Sequence, residues 1–124
     1  MPVVLLYGLQ DATRPDRVDL KHDLLSSVVG IEELGLCQSD VTIFMVETFD
    51  LVTRGDVVVI VEGLFDRPER TEAIRKELAS ALATTVTDCA DDKGLLWIHR
   101  IEVFVKRFDP TRDGFQVVNR IFKG

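Results

Sequence analysis

The chain has 124 residues, 46% of them hydrophobic and 29% charged, with a formal net charge of −6. That length carries a single hydrophobic core, and that composition excludes a disordered chain. The acidic balance argues against a nucleic-acid partner, which needs a basic excess to meet phosphates, but leaves room for a local basic pocket that takes a small anion.

The first element begins at once. MPVVLLYGL sets Pro2 directly after the initiator methionine, and the apolar run behind it predicts a strand over 3–9. The start has neither a basic n-region nor an A-x-A site, and no apolar run approaches the ~20 residues of a membrane helix, so the expectation is a cytoplasmic protein without a membrane partner. RPDR at 14–17 opens a helical stretch, VDLKHDLLSSVV, with Val18, Leu20, Leu24, Leu25 and Val28 near one face. Proline suits a first helical turn because its missing N–H is unpaired there anyway, and Asp16 suits the positive end of the helix dipole. VTIFMVETFD at 41–50 reads as a strand, and Arg54-Gly55-Asp56 as a tight turn.

The second half follows the same order. A strand is predicted over 57–64, RPER follows at 67–70, and TEAIRKELASALATTV places Ile74, Leu78, Ala81 and Leu82 on one helical face. Trp97 and His99 are expected to begin a strand that runs through IEVFVKRFD at 101–109. The tail, PTRDGFQVVNRIFKG, has turn chemistry and then apolar residues from Phe115 onward, read as a short strand that reaches a neighbouring subunit.

Set side by side, the halves are a repeat. VVLLYGLQD at 3–11 matches VVIVEGLFD at 58–66, and RPDR matches RPER, with Ala12 and Thr13 as two extra residues in the first copy. Each half ends in Phe-Asp. The chain is therefore β-α-β twice, with units at about 2–50 and 57–109 and an extension over 110–124, all in one domain spanning 1–124. Each unit pairs its strands in parallel, and a pseudo-twofold axis sets the two first strands antiparallel. The fold class is α+β: a four-stranded mixed sheet with both helices on one face. The strands are apolar on both faces, so the uncovered face predicts association with copies of the same chain, as a closed ring.

A Met-Pro start, an apolar first strand and a duplicated β-α-β unit of this length resemble the tautomerase superfamily, whose members include 4-oxalocrotonate tautomerase, 5-carboxymethyl-2-hydroxymuconate isomerase, malonate semialdehyde decarboxylase and macrophage migration inhibitory factor (MIF). The resemblance covers residues 2 to about 109. It implies a MIF-like homotrimer, with Pro2 as the N-terminus after methionine removal, and arginines of the loop and helix start that bind a substrate carboxylate. It is closest to malonate semialdehyde decarboxylase at Arg67-Pro68. The arginine that 4-oxalocrotonate tautomerase carries in its closing strand is replaced here by Thr42.

Residue chemistry points the same way. A terminal proline is a secondary amine; apolar walls and cationic neighbours disfavour its charged form and bring it towards neutrality, where it serves as general base and acid. Antiparallel first strands bring Pro2 to the end of the second unit's first strand, so Arg67 and Arg70 are its favoured partners; the resemblance implies that they bind the substrate carboxylate, a role the guanidinium fork suits. Arg14 and Arg17 face the equivalent place in the other unit, where Val57 has no free amine; one site per subunit is expected. Glu47, Trp97 and Lys106 are weaker candidates, with a solvated strand end, a core position and charge near a neighbour's pocket as their plainer readings. His22 reads as surface. Cys37 and Cys89 lie in no CxxC or Cys/His cluster, which argues against a zinc site and favours two unpaired thiols. The preferred reading is a cofactor-free tautomerase or isomerase acting on a small 2-oxo or enol carboxylic acid. A related hydratase, decarboxylase or dehalogenase, and a non-enzymatic trimeric binding protein of the same fold, are the alternatives; a ferredoxin-like regulatory domain is a third.

Overall fold

Alternation sets the first strand, β1 (Val3–Tyr7): Val4 and Leu6 are buried, while Val3, Leu5 and Tyr7 on the opposite face are partly exposed. The computed structural model describes residues 2–47 and 55–118. Within them β2 (Thr42–Val46), β3 (Asp56–Phe65) and β4 (Arg100–Phe108) join β1 in one sheet, in the order β2-β1-β3-β4. β1 pairs β2 in parallel and β3 pairs β4 in parallel, while β1 and β3 are antiparallel, with Val3 opposite Glu62 and Tyr7 opposite Val58. This is the α+β fold with a mixed sheet and two helices that the repeat predicts.

The helices α1 (Arg14–Val29) and α2 (Glu72–Asp92) bury matching stripes, Leu20, Leu24 and Val28 on one and Leu78, Leu82, Val86 and Cys89 on the other. These meet Val4, Leu6, Val57, Val59, Val61 and Leu64 of the sheet in one core. Each fully buried Leu or Val contributes about 1.5–3 kcal/mol relative to exposure. The helices touch through Ser27 and Thr85, whose hydroxyl oxygens lie 2.6 Å apart. The second helix runs well beyond the predicted stretch, to Asp92.

A glycine at positive φ stands near the end of each first strand, just past β1 and inside the last residues of β3. Gly8 has φ +97°, and a Cβ there would lie 2.1 Å from the Asp56 carbonyl oxygen, so no other residue fits beside the start of β3 without a shift. Gly63, its counterpart, has φ +71° and sits in an irregularity of the β3–β4 pairing between Val61 and Leu64.

The RPxR motifs are not equivalent, contrary to the alignment made from sequence. Pro15 lies in the first turn of α1, but α2 begins at Glu72, after the whole of RPER. The true counterparts are the two capping threonines. Thr13 Oγ1 accepts from the Asp16 N–H (3.4 Å) and Thr71 Oγ1 from the Ile74 N–H (3.3 Å). Thr13 is four positions after Leu9, whereas Thr71 is seven after Leu64, so it is the second connection that is longer, by three residues. Trp97 and His99 precede β4 rather than beginning it: Trp97 lies in a turn where the Ile98 N–H donates to the Leu95 carbonyl at 3.2 Å, and the His99 N–H donates to the Gly55 carbonyl at 2.8 Å. β2 ends at Val46; Phe49, Asp50, Arg54, Ile121 and Phe122 lie outside the described residues. Residues 114–118 form no strand.

Candidate active site around Pro2

Pro2 is buried at the entry to β1, where its carbonyl accepts the Thr42 N–H at 3.2 Å. Because β1 and β3 run in opposite directions, the start of one lies beside the end of the other. Pro2 and Gly63 therefore share a cavity of about 220 Å³. Its walls also hold Phe65, Arg67 and Arg70 from the end of β3 and the loop beyond it, and Asp40 from the short 3-10 turn before β2.

The two arginines stand in different conditions. Arg70 is 5% exposed. Its Nε and Nη2 donate to the Leu34 carbonyl (3.1 and 2.7 Å), and its Nη1 donates to the Phe65 carbonyl (2.7 Å). Three of its five donors are thus committed to backbone, tying the loop after α1 to the end of β3. Burial, and then the neighbouring Arg67 charge, lower its pKa from the ordinary arginine value. Arg67 is exposed, and among the described residues no hydrogen bond or ion pair engages its guanidinium. The fork available to a ligand is that of Arg67.

Asp40 was not singled out from sequence. Its Oδ2 accepts the Cys37 N–H (2.9 Å) and the Cys37 thiol (3.0 Å). Those bonds, with Arg67 nearby, hold its carboxyl below the usual aspartate range, so it faces the cavity ionised. The only sequence signal for it is an Asp three residues after Cys37 and just ahead of a strand, which is common turn chemistry. Phe65 supplies the apolar wall. Phe108 stacks on it at 5.6 Å between centroids, and Phe115 meets it edge-on at 4.8 Å.

The remaining candidates lie elsewhere. Arg14 lines a separate groove between α1 and β2, with Arg17, whose Nη1 is 3.7 Å from Glu47. Glu47 follows Val46, which pairs with Tyr7, so it sits at the far end of β1 from Pro2. Trp97 packs against the core just before Arg100, which is level with Asp56 at that same far end. Lys106 is at the Pro2 end of the sheet, with its Nζ on Glu62 at 3.0 Å. Val57 is fully buried. His22 is exposed, Cys37 is exposed and Cys89 buried, and both cysteines are free. Among the described residues no group of three or more His, Cys, Asp or Glu is placed to hold a metal ion, and no helix is long and apolar enough to cross a membrane.

With this geometry in place, comparison with known proteins identifies the fold. No family model matches the chain, and no curated protein gives a significant sequence match. Solved structures do match. A fused 4-OT wild-type asymmetric trimer is 20% identical, with 91% of each chain covered and a TM-score of 0.66. Macrophage migration inhibitory factor from Toxoplasma gondii is 17% identical over 97% of this chain and 99% of that one, with a TM-score of 0.64. A 5-carboxymethyl-2-hydroxymuconate isomerase from Deinococcus radiodurans R1 is 16% identical over 96% and 90%, with a TM-score of 0.60. The chain has the tautomerase-superfamily fold.

Proposed function

We propose that this protein is a cofactor-free tautomerase or isomerase of small 2-oxo or enol carboxylic acids, with Pro2 as the proton carrier once Met1 is removed. The observation that supports it is a single cavity holding Pro2 beside a guanidinium with no partner among the described residues. Arg67 takes the substrate carboxylate through its fork. Arg70 adds positive charge beside the amine and fixes the wall. The two cations disfavour a protonated proline, leaving its lone pair free to accept the enol hydroxyl proton as the carbonyl forms. The prolinium then returns a proton to the adjacent carbon. Phe65 excludes water on one side.

The reading includes a homotrimer in the cytoplasm. The fused 4-OT proteins that share the fold are described as trimers. An exposed, free Cys37 suits a reducing compartment.

Asp40 favours a second reading. An ionised carboxylate in the same cavity stabilises prolinium, which suits a hydratase or decarboxylase in which Pro2 stays protonated and acts as an acid.

The test is ketonisation of phenylenolpyruvate by untagged protein beside Pro2→Ala, with intact mass reporting methionine loss. A rate that falls about 10²-fold or more in the variant supports Pro2 as the carrier. A rate indifferent to the substitution overturns it. No rate in either protein moves the assignment to the acid chemistry or to a binding role.

A further inference from the structure

The groove between α1 and β2 has chemistry that the Pro2 site does not use. Its cavity, of about 250 Å³, shares no lining residue with the Pro2 cavity. Arg14, Arg17 and Lys21 form its rim, and Val18, Ile43 and Met45 its floor. The rim residues and Val18 stand at i, i+3, i+4 and i+7 on α1, so one helix face presents three cations around an apolar centre. Val18 is 45% exposed there, a large apolar side chain in the middle of a charged face.

The charge distribution on α1 is segregated. Asp16 and Asp19 turn to the other side, where Lys93 from the end of α2 reaches them at 3.9 and 2.7 Å. Among the described residues, Arg17 alone of the three rim cations meets an opposite charge, Glu47 at 3.7 Å, and no hydrogen bond or ion pair engages the side chain of Arg14 or Lys21. Arg14 and Arg17 also occupy the first turn, where the helix dipole is already positive and cations are disfavoured, and like charges at i, i+3 and i+4 repel. In a chain with a net charge of −6, this is a local basic excess that helix stability does not explain. An anion seated in the groove relieves both penalties. An apolar body attached to that anion covers Val18, Ile43 and Met45. The cavity is smaller than the ~300–1,000 Å³ of sites for drug-sized ligands, which sets the size of the guest.

We propose that the α1–β2 groove is a second binding site, for a carboxylate carried on a short apolar body, separate from the Pro2 cavity. Neither part alone suffices: the cations hold the carboxylate, and the floor selects for the tail.

The test uses the full untagged chain labelled with ¹⁵N and titrated with octanoate, with acetate and octyltrimethylammonium as controls. The expected result is saturable shifts of amides in 14–21 and 43–45, at least tenfold weaker binding of acetate, and none of the cation. Lys21→Glu, an exposed position that leaves the core intact, weakens octanoate at least tenfold, and Val18→Ser weakens octanoate while leaving acetate unchanged. Equal binding of octanoate and acetate overturns the apolar half of the proposal. Shifts centred on Asp40 and Gly63, octanoate binding indifferent to Lys21→Glu, or no shifts at all overturn the site.

Discussion

At the residue scale, the two arginines of one motif divide the work. Among the described residues no hydrogen bond or ion pair engages the Arg67 guanidinium, whereas Arg70 is held between two backbone carbonyls. Their substitutions therefore diverge. Arg67→Ala leaves the fold intact and raises KM for an enol acid about tenfold or more, the worth of a charge-assisted hydrogen bond. Arg70→Ala leaves the Leu34 and Phe65 carbonyls unsatisfied and costs about 3 kcal/mol of stability, read from denaturant unfolding. Equal effects of both on stability contradict the division. The sequence pointed to this pair because antiparallel first strands bring the segment to Pro2, but the different fates of the two side chains depend on the Leu34 carbonyl, which arrives from the other unit. Asp40 was illegible for the same reason: its place in the cavity comes from how the turn before β2 lies against the loop after β3.

At the scale of elements, alternation and 3.6-residue periodicity were enough to place four strands and two helices. What they did not fix was how the repeats correspond. RPDR and RPER look alike, yet one starts a helix and the other is a loop, because capping by Thr13 and Thr71, not proline, sets where each helix begins. The 3-10 turn at Gln38–Asp40 has its own pH response. The Asp40 carboxyl has its pKa lowered by the Cys37 bonds, so it binds protons less readily folded than unfolded. Its contribution is full above the ordinary aspartate range and is lost as pH falls through the depressed value. The Cys37 amide is the reporter: its proton shift moves with a midpoint below that of a free aspartate. A midpoint at or above the free value contradicts the bonding described.

At the scale of the whole molecule, one face of the sheet is covered by neither helix among the described residues. Phe44, Leu5, Ile60 and Phe104 stand in one cross-strand row, with Phe44 52% and Phe104 48% exposed. Apolar side chains in a continuous row are costly to leave in water. The homotrimer proposed above covers them. Ile60→Asp, in the middle of the row, then yields smaller species by light scattering, whereas an unchanged mass means the row lies outside the interface. The exposed tail residues Val117 and Val118 offer more apolar surface.

The proposed chemistry requires Pro2 to carry a free amine whose charge is disfavoured by its surroundings. The most direct measurement is a pH titration of untagged protein labelled with ¹⁵N-proline, following the Pro2 amine. The expected result is a terminal secondary amine with a midpoint below the ~7.7–8.0 of an ordinary α-amino group, moving up in Arg67→Ala. An amide signal at Pro2, from retained methionine, or a midpoint at or above the ordinary value contradicts it.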